Sequence, residues 1–339
     1  MGSVLDVLPR DGALFVGRTG AVPLPDGRVL VVSPTEAHIV LAVEEPPDNA
    51  IPAPADGLRV QRPAWMPFGI SAAPVPEDAQ QAFRRIWARR HEQDAYIGQE
   101  PYTGGLIRAA QALRQASARQ EQPAALAFRL QTPDPGDPKA AYLLVKALEG
   151  LADAARMFRL PLVAGELTTA AVDPELEVAA YTADAQRYSS AAEAEPAMLN
   201  KGEDVYLLGR TTADLSGSLY AGGQACFPPP IDLVVESRVQ EIAAEIGHAM
   251  PLGRGGLLIT LARCCVRAGT GARLAIPTEP GWLFGEAQSR MLFFLPRERS
   301  DRLLALAAQL DIPIERLGTL GGVELIVEGA INLDVRELT

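Results

Sequence analysis

Residues 124–168 read AALAFRLQTPDPGDPKAAYLLVKALEGLADAARMFRLPLVAGELT, and this stretch sets the fold class. The first seven residues are apolar except for Arg129 and predict a buried strand, and a proline-rich loop follows at 131–138. Residues 140–158 carry apolar side chains at helical spacing, and 161–164 predict a second strand that enters a loop at 165–168. Strand, helix and strand in this order indicate a mixed α/β (α+β) fold.

Toward the N-terminus, the sequence predicts strands and then an irregular segment. Short apolar runs at 13–16, 29–32 and 38–43, separated by turns such as Pro25-Asp26-Gly27, predict a strand meander within residues 1–60. Residues 44–80 are rich in proline without clear periodicity, so we expect an extended linker or a surface loop. Helices are predicted from about residue 77 to 91 and, after a Gly-Gly turn, over 106–118.

Toward the C-terminus, a polar segment gives way to an apolar run at 205–208, and this shift predicts a domain boundary near residue 200. The predicted domains are therefore 1–200 and 201–339. In the second domain, the predicted helices are 237–248, 255–268 and 300–310, and the predicted strands are 205–208, 273–277, 291–295, 314–317 and 323–327. Strand, helix and paired strands in this order suit a ferredoxin-like layer.

Composition excludes several classes of protein. The chain has 339 residues, a formal net charge of -11 and 48% hydrophobic residues, which indicates a globular protein and argues against nucleic acid as a partner. The N-terminus lacks the pattern of a signal peptide, and no stretch approaches ~20 continuous apolar residues, so we expect no membrane association. The cysteines Cys226, Cys264 and Cys265 form no CxxC motif. We therefore expect reduced thiols and a cytoplasmic location.

Two segments of the first domain could carry ligand chemistry. Glu100-Pro101-Tyr102-Thr103-Gly104-Gly105 stands just before a predicted helix, where it could bind an anion or could be a turn with a helix cap. Gly165-Glu166-Leu167-Thr168 follows a predicted strand, at the end where ligands of α/β sheets gather. Glu166 could coordinate Mg²⁺ or could be a solvated loop acid.

The second domain offers three further candidates. Gly253-Arg254-Gly255-Gly256 opens an apolar helix and could bind an anion at the helix start. The segment Phe284-Gly285-Glu286-Ala287-Gln288-Ser289-Arg290 could form a polar pocket wall or a plain junction between loop and strand. His248 could act as a general acid or base, or could interact as a cation with the end of its helix. Cys264 and Cys265 are interpreted as small side chains packed in the core.

The order of these segments is more specific than any one of them. Glu100–Gly105 is similar to an Asp-Pro-Tyr-x-Gly-Gly motif. Residues 130–135 are similar to Leu-Asn-Phe-Gly-Asn-Pro, and residues 145–154 are similar to Ala-Val-Glu-Gly-Leu-Ala-Asp-Ala. In the second predicted domain, residues 205–218 are similar to Leu-Leu-Gly followed by Leu-Gly-Gly-Ser, residues 255–265 to Gly-Gly-Leu followed by Leu-Ala-Glu-Cys-Cys, and residues 284–290 to Phe-Gly-Glu-Ser-Gln-Ser-Arg. In one register over roughly 90–325, the chain resembles the second half of phosphoribosylformylglycinamidine synthase. Gly165–Thr168 is also similar to Gly-Gly-Glu-Thr of the related aminoimidazole ribonucleotide synthetase.

The resemblance implies a fold and a chemistry. The fold is an N-terminal four-stranded sheet with helices that forms a barrel with a partner domain, plus a ferredoxin-like C-terminal domain. The chemistry is ATP- and Mg²⁺-dependent: an amide oxygen is phosphorylated and displaced by ammonia. The residues that the resemblance places at the nucleotide are Glu100, Tyr102, Gly104, Gly105, Gly165, Thr168, Gly255, Gly256, Gly285, Glu286 and Gln288, and Glu166 would be the metal ligand.

The chain also departs from the family pattern. Residues 247–256 replace Ser-Ala-His-Asp-x-Ser-Asp-Gly-Gly, so that both aspartates are absent and Arg254 takes the place of one. Two hypotheses follow. In the first, the chain is a single synthase module that binds a nucleotide or phosphoribosyl ligand and pairs with a second copy or another synthase-like chain. In the second, it is a catalytically degenerate structural or regulatory module of the same fold that keeps a nucleotide at most.

Overall fold

The computed structural model describes residues 19–41, 78–92, 94–134, 137–170, 173–192, 194, 199–222 and 227–338. The described residues belong to two units, one within 1–68, 95–116 and 121–192 and the other within 69–94, 117–120 and 193–339. The first apolar run of the predicted meander, at 13–16, and most of the proline-rich segment 44–80 lie outside the described residues, as does Cys226.

The elements up to residue 192 confirm the strand, helix and strand of the central stretch. They are β1 (Gly20–Pro23), β2 (Arg28–Val32), β3 (Ala37–Leu41), α1 (Ala79–Ala88), α2 (Tyr96–Gln99), α3 (Pro101–Ala118), β4 (Pro123–Thr132), α4 (Pro138–Met157), β5 (Leu162–Thr169), β6 (Glu175–Thr182) and β7 (Arg187–Ser189). Two predictions are wrong here. The Gly-Gly turn is part of α3, and the expected loop at 165–168 continues the strand β5.

The elements after residue 200 agree well with the predicted order. They are β8 (Asp204–Leu208), α5 (Leu233–Ile246), β9 (Ala249–Pro251), α6 (Gly256–Ala268), β10 (Ala272–Leu274), α7 (Pro280–Phe284), β11 (Met291–Leu295), α8 (Ser300–Gln309), β12 (Ile314–Leu320), β13 (Glu324–Val327) and β14 (Ile331–Asp334). Helix α1 lies in this second unit, which a single boundary near residue 200 does not predict.

The first unit contains a four-stranded sheet in the order β5-β4-β6-β7, in which β4 and β5 are parallel and the other pairs antiparallel. A separate antiparallel sheet, β1-β2-β3, supplies Leu30 and Val32, which pack with Ala127 and Ala179 of the larger sheet. Small side chains on the larger sheet leave room for this second layer. Helix α4 contacts β4.

The second unit is a seven-stranded sheet in the order β14-β13-β10-β12-β8-β11-β9. Successive side chains of a strand point to opposite faces. In β8, Val205 and Leu207 therefore join the core that contains α6, whereas Tyr206 and Leu208 join the core that contains α5 and α8. Helices thus cover both faces, which explains why β11 is buried along its whole length.

Among the described residues, no helix combines the length and the apolarity that crossing a bilayer requires.

Candidate functional site

The carboxylate of Glu100 caps helix α3. Its Oε2 accepts a hydrogen bond from the backbone N–H of Thr103 at 2.7 Å, and its carbonyl accepts one from Gly104 N–H at 2.9 Å. The first N–H groups of a helix have no partner within the helix, so a side-chain acceptor stabilises the helix start. The helix-cap alternative therefore accounts for Glu100 without a ligand.

The glycines after Glu100 bring two helices together. A Cβ on Gly105 would lie 2.1 Å from the carbonyl oxygen of Ala147 in α4, and one on Gly150 would lie 2.0 Å from the carbonyl oxygen of Tyr102 in α3. Each helix thus places a glycine where the backbone of the other approaches. A Cβ on Gly104 would approach Ile97 in α2 at 2.8 Å. These glycines are needed for helix packing.

The hydroxyl of Tyr102 also acts between α3 and α4. It donates a hydrogen bond to Oδ2 of Asp153 at 2.8 Å. This hydrogen bond, followed by burial, raises the pKa of Tyr102 above its ordinary value. Both effects favour the protonated phenol, since loss of the proton would place a second negative charge beside Asp153.

Strand β5 contains the other candidates of the first unit. Gly165 lies opposite Phe128 in β4, and a Cβ on it would meet the phenyl ring at 2.3 Å. Glu166 lies opposite Arg129, whose Nε donates to its Oε2 at 3.1 Å, and Arg129 also approaches Glu177 on the other side at 4.0 Å. Thr168 is exposed near the end of the strand.

Glu166, Arg129 and Glu177 form a cross-strand row of charges, and this row leaves Glu166 ill-suited to hold Mg²⁺. Magnesium needs near-octahedral oxygen ligands, whereas the neighbour of Glu166 in the sheet is a guanidinium. No group of three or more His, Cys, Asp or Glu side chains that could hold a metal is found in the part of the chain that the structure describes. The residues present in that part of this unit do not form a metal centre.

The second unit brings four predicted site residues together at the start of α6. Gly255 and Gly256 have φ of +80° and +72°, a region that favours glycine. A Cβ on Gly256 would lie 2.5 Å from the carbonyl oxygen of Gly285, so the segment after α7 passes directly against the helix start. Glu286 follows in that segment.

The carboxylate of Glu286 occupies the α6 start. Its Oε1 accepts hydrogen bonds from the backbone N–H groups of Gly255 and Leu219, each at 2.8 Å. Its Oε2 accepts from Nη1 of Arg254, and the same nitrogen donates to the carbonyl oxygen of Gly217 at 2.8 Å. The anion expected at this helix start is therefore a side chain of the protein itself.

A second buried carboxylate lies beside this region. Glu236, in the first turn of α5, is fully buried and accepts hydrogen bonds from Ser289 Oγ at 2.6 Å and from Gln240 Nε2 at 2.8 Å. Sequence reasoning missed Glu236, because it lies just before the predicted helix 237–248 and its burial depends on contacts with Ser289, a residue distant in the chain. Gln288 Nε2 donates to the carbonyl oxygen of Glu286 at 3.0 Å, which places Gln288 with the same segment.

His248 and the adjacent cysteines Cys264 and Cys265 lie at positions where the structure shows contacts within the fold. His248 is half-buried with φ of +51°, and its carbonyl accepts a hydrogen bond from Phe294 N–H at 3.1 Å, next to β9. Cys264 and Cys265 lie fully buried in α6, and burial raises the pKa of both thiols, that of Cys265 to about 12. Such thiols are poor nucleophiles at neutral pH.

The fold defines the class of protein to which these features belong. The structure is similar to that of T. maritima PurL complexed with FGAR, with a TM-score of 0.58 and 18% identity over 72% of this chain and 44% of the other. T. maritima PurL complexed with ATP gives a TM-score of 0.56 and 17% identity over 78% of this chain and 50% of the other. The chain therefore has a mixed α/β fold of the PurL kind.

Sequence comparison names the particular relatives. The chain is 31% identical over 266 residues to the phosphoribosylformylglycinamidine synthase subunit PurL of Bradyrhizobium sp. strain BTAi1. The match covers 72% of this chain and 35% of that protein. The resemblance that the motif order indicated is thus confirmed, and the chain is a homologue of PurL. It spans about a third of the length of the curated relatives that it matches. No model of a known protein family matches the chain.

Proposed function

We propose that this chain is one module of a phosphoribosylformylglycinamidine synthase of purine biosynthesis, which acts in ATP-dependent amide-to-amidine chemistry with a second module. The observation that carries the proposal is the 31% identity to PurL over 266 residues. Because the match covers 35% of that relative, the rest of the relative has no counterpart in the match. We propose that the module pairs with a second synthase-like chain or with a second copy. A cytoplasmic location belongs to the same proposal.

The architecture supports the finer assignments that the family implies. Within the second unit, strands β12-β8-β11-β9 are consecutive and antiparallel, and α5 and α8 share a core on one face of them. This order favours a ferredoxin-like C-terminal domain with additional elements. For the first unit, we propose that the four-stranded sheet joins an equivalent sheet of a partner in a barrel.

Nucleotide binding is the part of the proposal that is most directly tested. T. maritima PurL has been solved with ATP, AMPPCP and ADP, which supports a nucleotide as the ligand here. The described residues do not fit a resident Mg²⁺, because Glu166 pairs with Arg129 and Glu286 pairs with Arg254. We therefore propose that a metal required for chemistry would be held by the nucleotide and the second module.

Titration calorimetry of the chain with ATP, in magnesium and in EDTA, tests this proposal. ATP should bind in both conditions, and Glu166→Gln should bind ATP with the same magnesium response as the parent chain. Arg129→Gln, which breaks the same exposed pair from the other side, is the matched control. Absence of ATP binding in both conditions would refute the nucleotide assignment. A magnesium-dependent affinity that Glu166→Gln alone abolishes would place the metal on β5.

The second candidate function is a structural or regulatory module without chemistry of its own. The self-occupied start of α6 favours it, because a buried ion pair stands where the family carries an aspartate. The two functions differ in one measurement. Adding this chain to a partner that lacks its own second module should restore synthase turnover if the chain is catalytic. A degenerate module should change the stability or assembly of the partner without restoring turnover.

A further inference from the structure

The ion pair between Arg254 and Glu286 is largely buried in the C-terminal unit. The side chains are 16% and 3% exposed, respectively. By contrast, Arg316, which pairs with the buried carboxylate of Asp204, is 51% exposed. Taking two charges out of water is costly unless the geometry compensates for it. The contacts of Arg254 show how the cost is offset.

One nitrogen of Arg254 contacts two kinds of oxygen. Nη1 donates to a carboxylate oxygen of Glu286 and to the carbonyl oxygen of Gly217. Carboxylate and backbone carbonyl oxygens are the ligands that hard divalent cations take in proteins. Arg316, in comparison, donates from Nη2 to Asp204 and to the hydroxyl of Thr319.

The cross-link joins three segments that are distant in the chain. Glu286 also accepts hydrogen bonds from the N–H groups of Leu219 and Gly255, so that the turn before Leu219, the start of α6 and the segment after α7 meet at one carboxylate. The negative charge of this carboxylate requires a cation beside it, and the chain supplies one. A bound metal ion would perform the same task.

We infer that the guanidinium of Arg254 is a built-in substitute for a divalent cation, which ties Gly217 and Glu286 to the start of α6 and makes this region independent of metal. The inference disagrees with the Mg²⁺ dependence that the resemblance implies, because Arg254 stands where the family pattern has an aspartate. It rests on the geometry of the C-terminal unit alone and holds whether or not the chain binds ATP.

Thermal unfolding of the full chain in EDTA and in millimolar Mg²⁺ or Ca²⁺ tests this inference. Arg254→Asp places a short carboxylate next to Glu286, so the variant should melt about 6–12 °C below the parent chain in EDTA and recover most of that loss when a divalent cation is added. Arg254→Met should melt lower in EDTA and should not recover. The parent chain should melt at the same temperature in both conditions.

An exposed pair provides the control. Arg302 pairs with Glu245, and the two side chains are 61% and 43% exposed, so Arg302→Asp should change the melting temperature little and gain no response to metal. A folded Arg254→Asp that does not recover with Mg²⁺ or Ca²⁺ overturns the inference. If Arg254→Asp does not fold, Arg254→Lys tests the inference instead, because the lysine keeps a cation beside Glu286 and its melting temperature should not respond to metal. A metal response of Arg254→Lys, or one of the parent chain that Glu286→Gln abolishes, also overturns it.

Discussion

Replacing Gly105 by alanine separates the packing role of the glycines from a ligand role. The new Cβ would lie 2.1 Å from the carbonyl oxygen of Ala147 and 2.9 Å from the backbone nitrogen of Leu151. Both neighbours are backbone atoms, so no rotamer change relieves the overlap and the two helices must move apart. A 2.1 Å approach to a backbone atom belongs at the upper end of the about 1–3 kcal/mol that overpacking costs, and the helix propensity of alanine offsets about 1 kcal/mol of that cost. We expect a net destabilisation of about 2 kcal/mol.

Thermal or urea unfolding followed by circular dichroism measures this change. A loss of about 2 kcal/mol corresponds to a fall of about 4–8 °C in the melting temperature of a unit of this size. Gly98→Ala is the matched control, because Gly98 lies in α2 and no atom of another segment lies within 4 Å of a new Cβ. It should be neutral or stabilising by up to about 1 kcal/mol. If Gly105→Ala is as stable as Gly98→Ala but loses nucleotide binding, the packing explanation is refuted and the ligand role of the glycine is restored.

Two further predictions concern ionisation. The hydrogen bond from Arg316 lowers the pKa of Asp204 below its ordinary value of 3.8. The stability that the ionised carboxylate contributes is therefore fully present above pH 3.8 and is lost as the pH falls through the pKa that Asp204 has in the folded chain. Unfolding midpoints of the parent chain and of Asp204→Asn should therefore converge below pH 3.8, and a constant difference down to pH 2 would contradict this. In a Cys226→Ser background, a thiol reagent should label Cys264 and Cys265 only after unfolding, because both are buried with raised pKa values. Rapid labelling of the native chain would show that α6 opens.

Side-chain patterning made the central elements predictable. Three predicted elements correspond to observed ones: the strand at 124–130 to β4, the helix at 140–158 to α4 and the strand at 291–295 to β11. They were predictable because the pattern of apolar residue types shows which faces of an element are buried. The strands β6, β7, β9 and β14 were not predicted. Strands of three or four residues, such as β7, β9 and β14, carry too few side chains to show a period, and pairing with a neighbour stabilises them. The eight-residue strand β6 was missed as well.

Glycine-rich segments were harder to interpret than apolar ones. The sequence does not distinguish a glycine that opens a turn from one that admits a neighbouring backbone, and both uses occur here. Gly105 lies inside a helix against α4, whereas Gly255 has a positive φ at the start of α6. The distinction depends on which other segment lies within 4 Å, which is a property of the tertiary structure.

The sequence by itself determined the mixed α/β class, the order of the main elements and, through the order of its motifs, the relation to PurL. These follow from periodicity and residue type, which are local. The tertiary structure decided what the candidate residues do. Glu166 and Glu286 look alike in sequence as acids after glycine, yet one lies in an exposed cross-strand row and the other is buried against Arg254. The partner of a charge can lie more than a hundred residues away in the chain, as Arg316 does from Asp204 with a separation of 112 residues, and the energy of a charge depends on that partner and on burial.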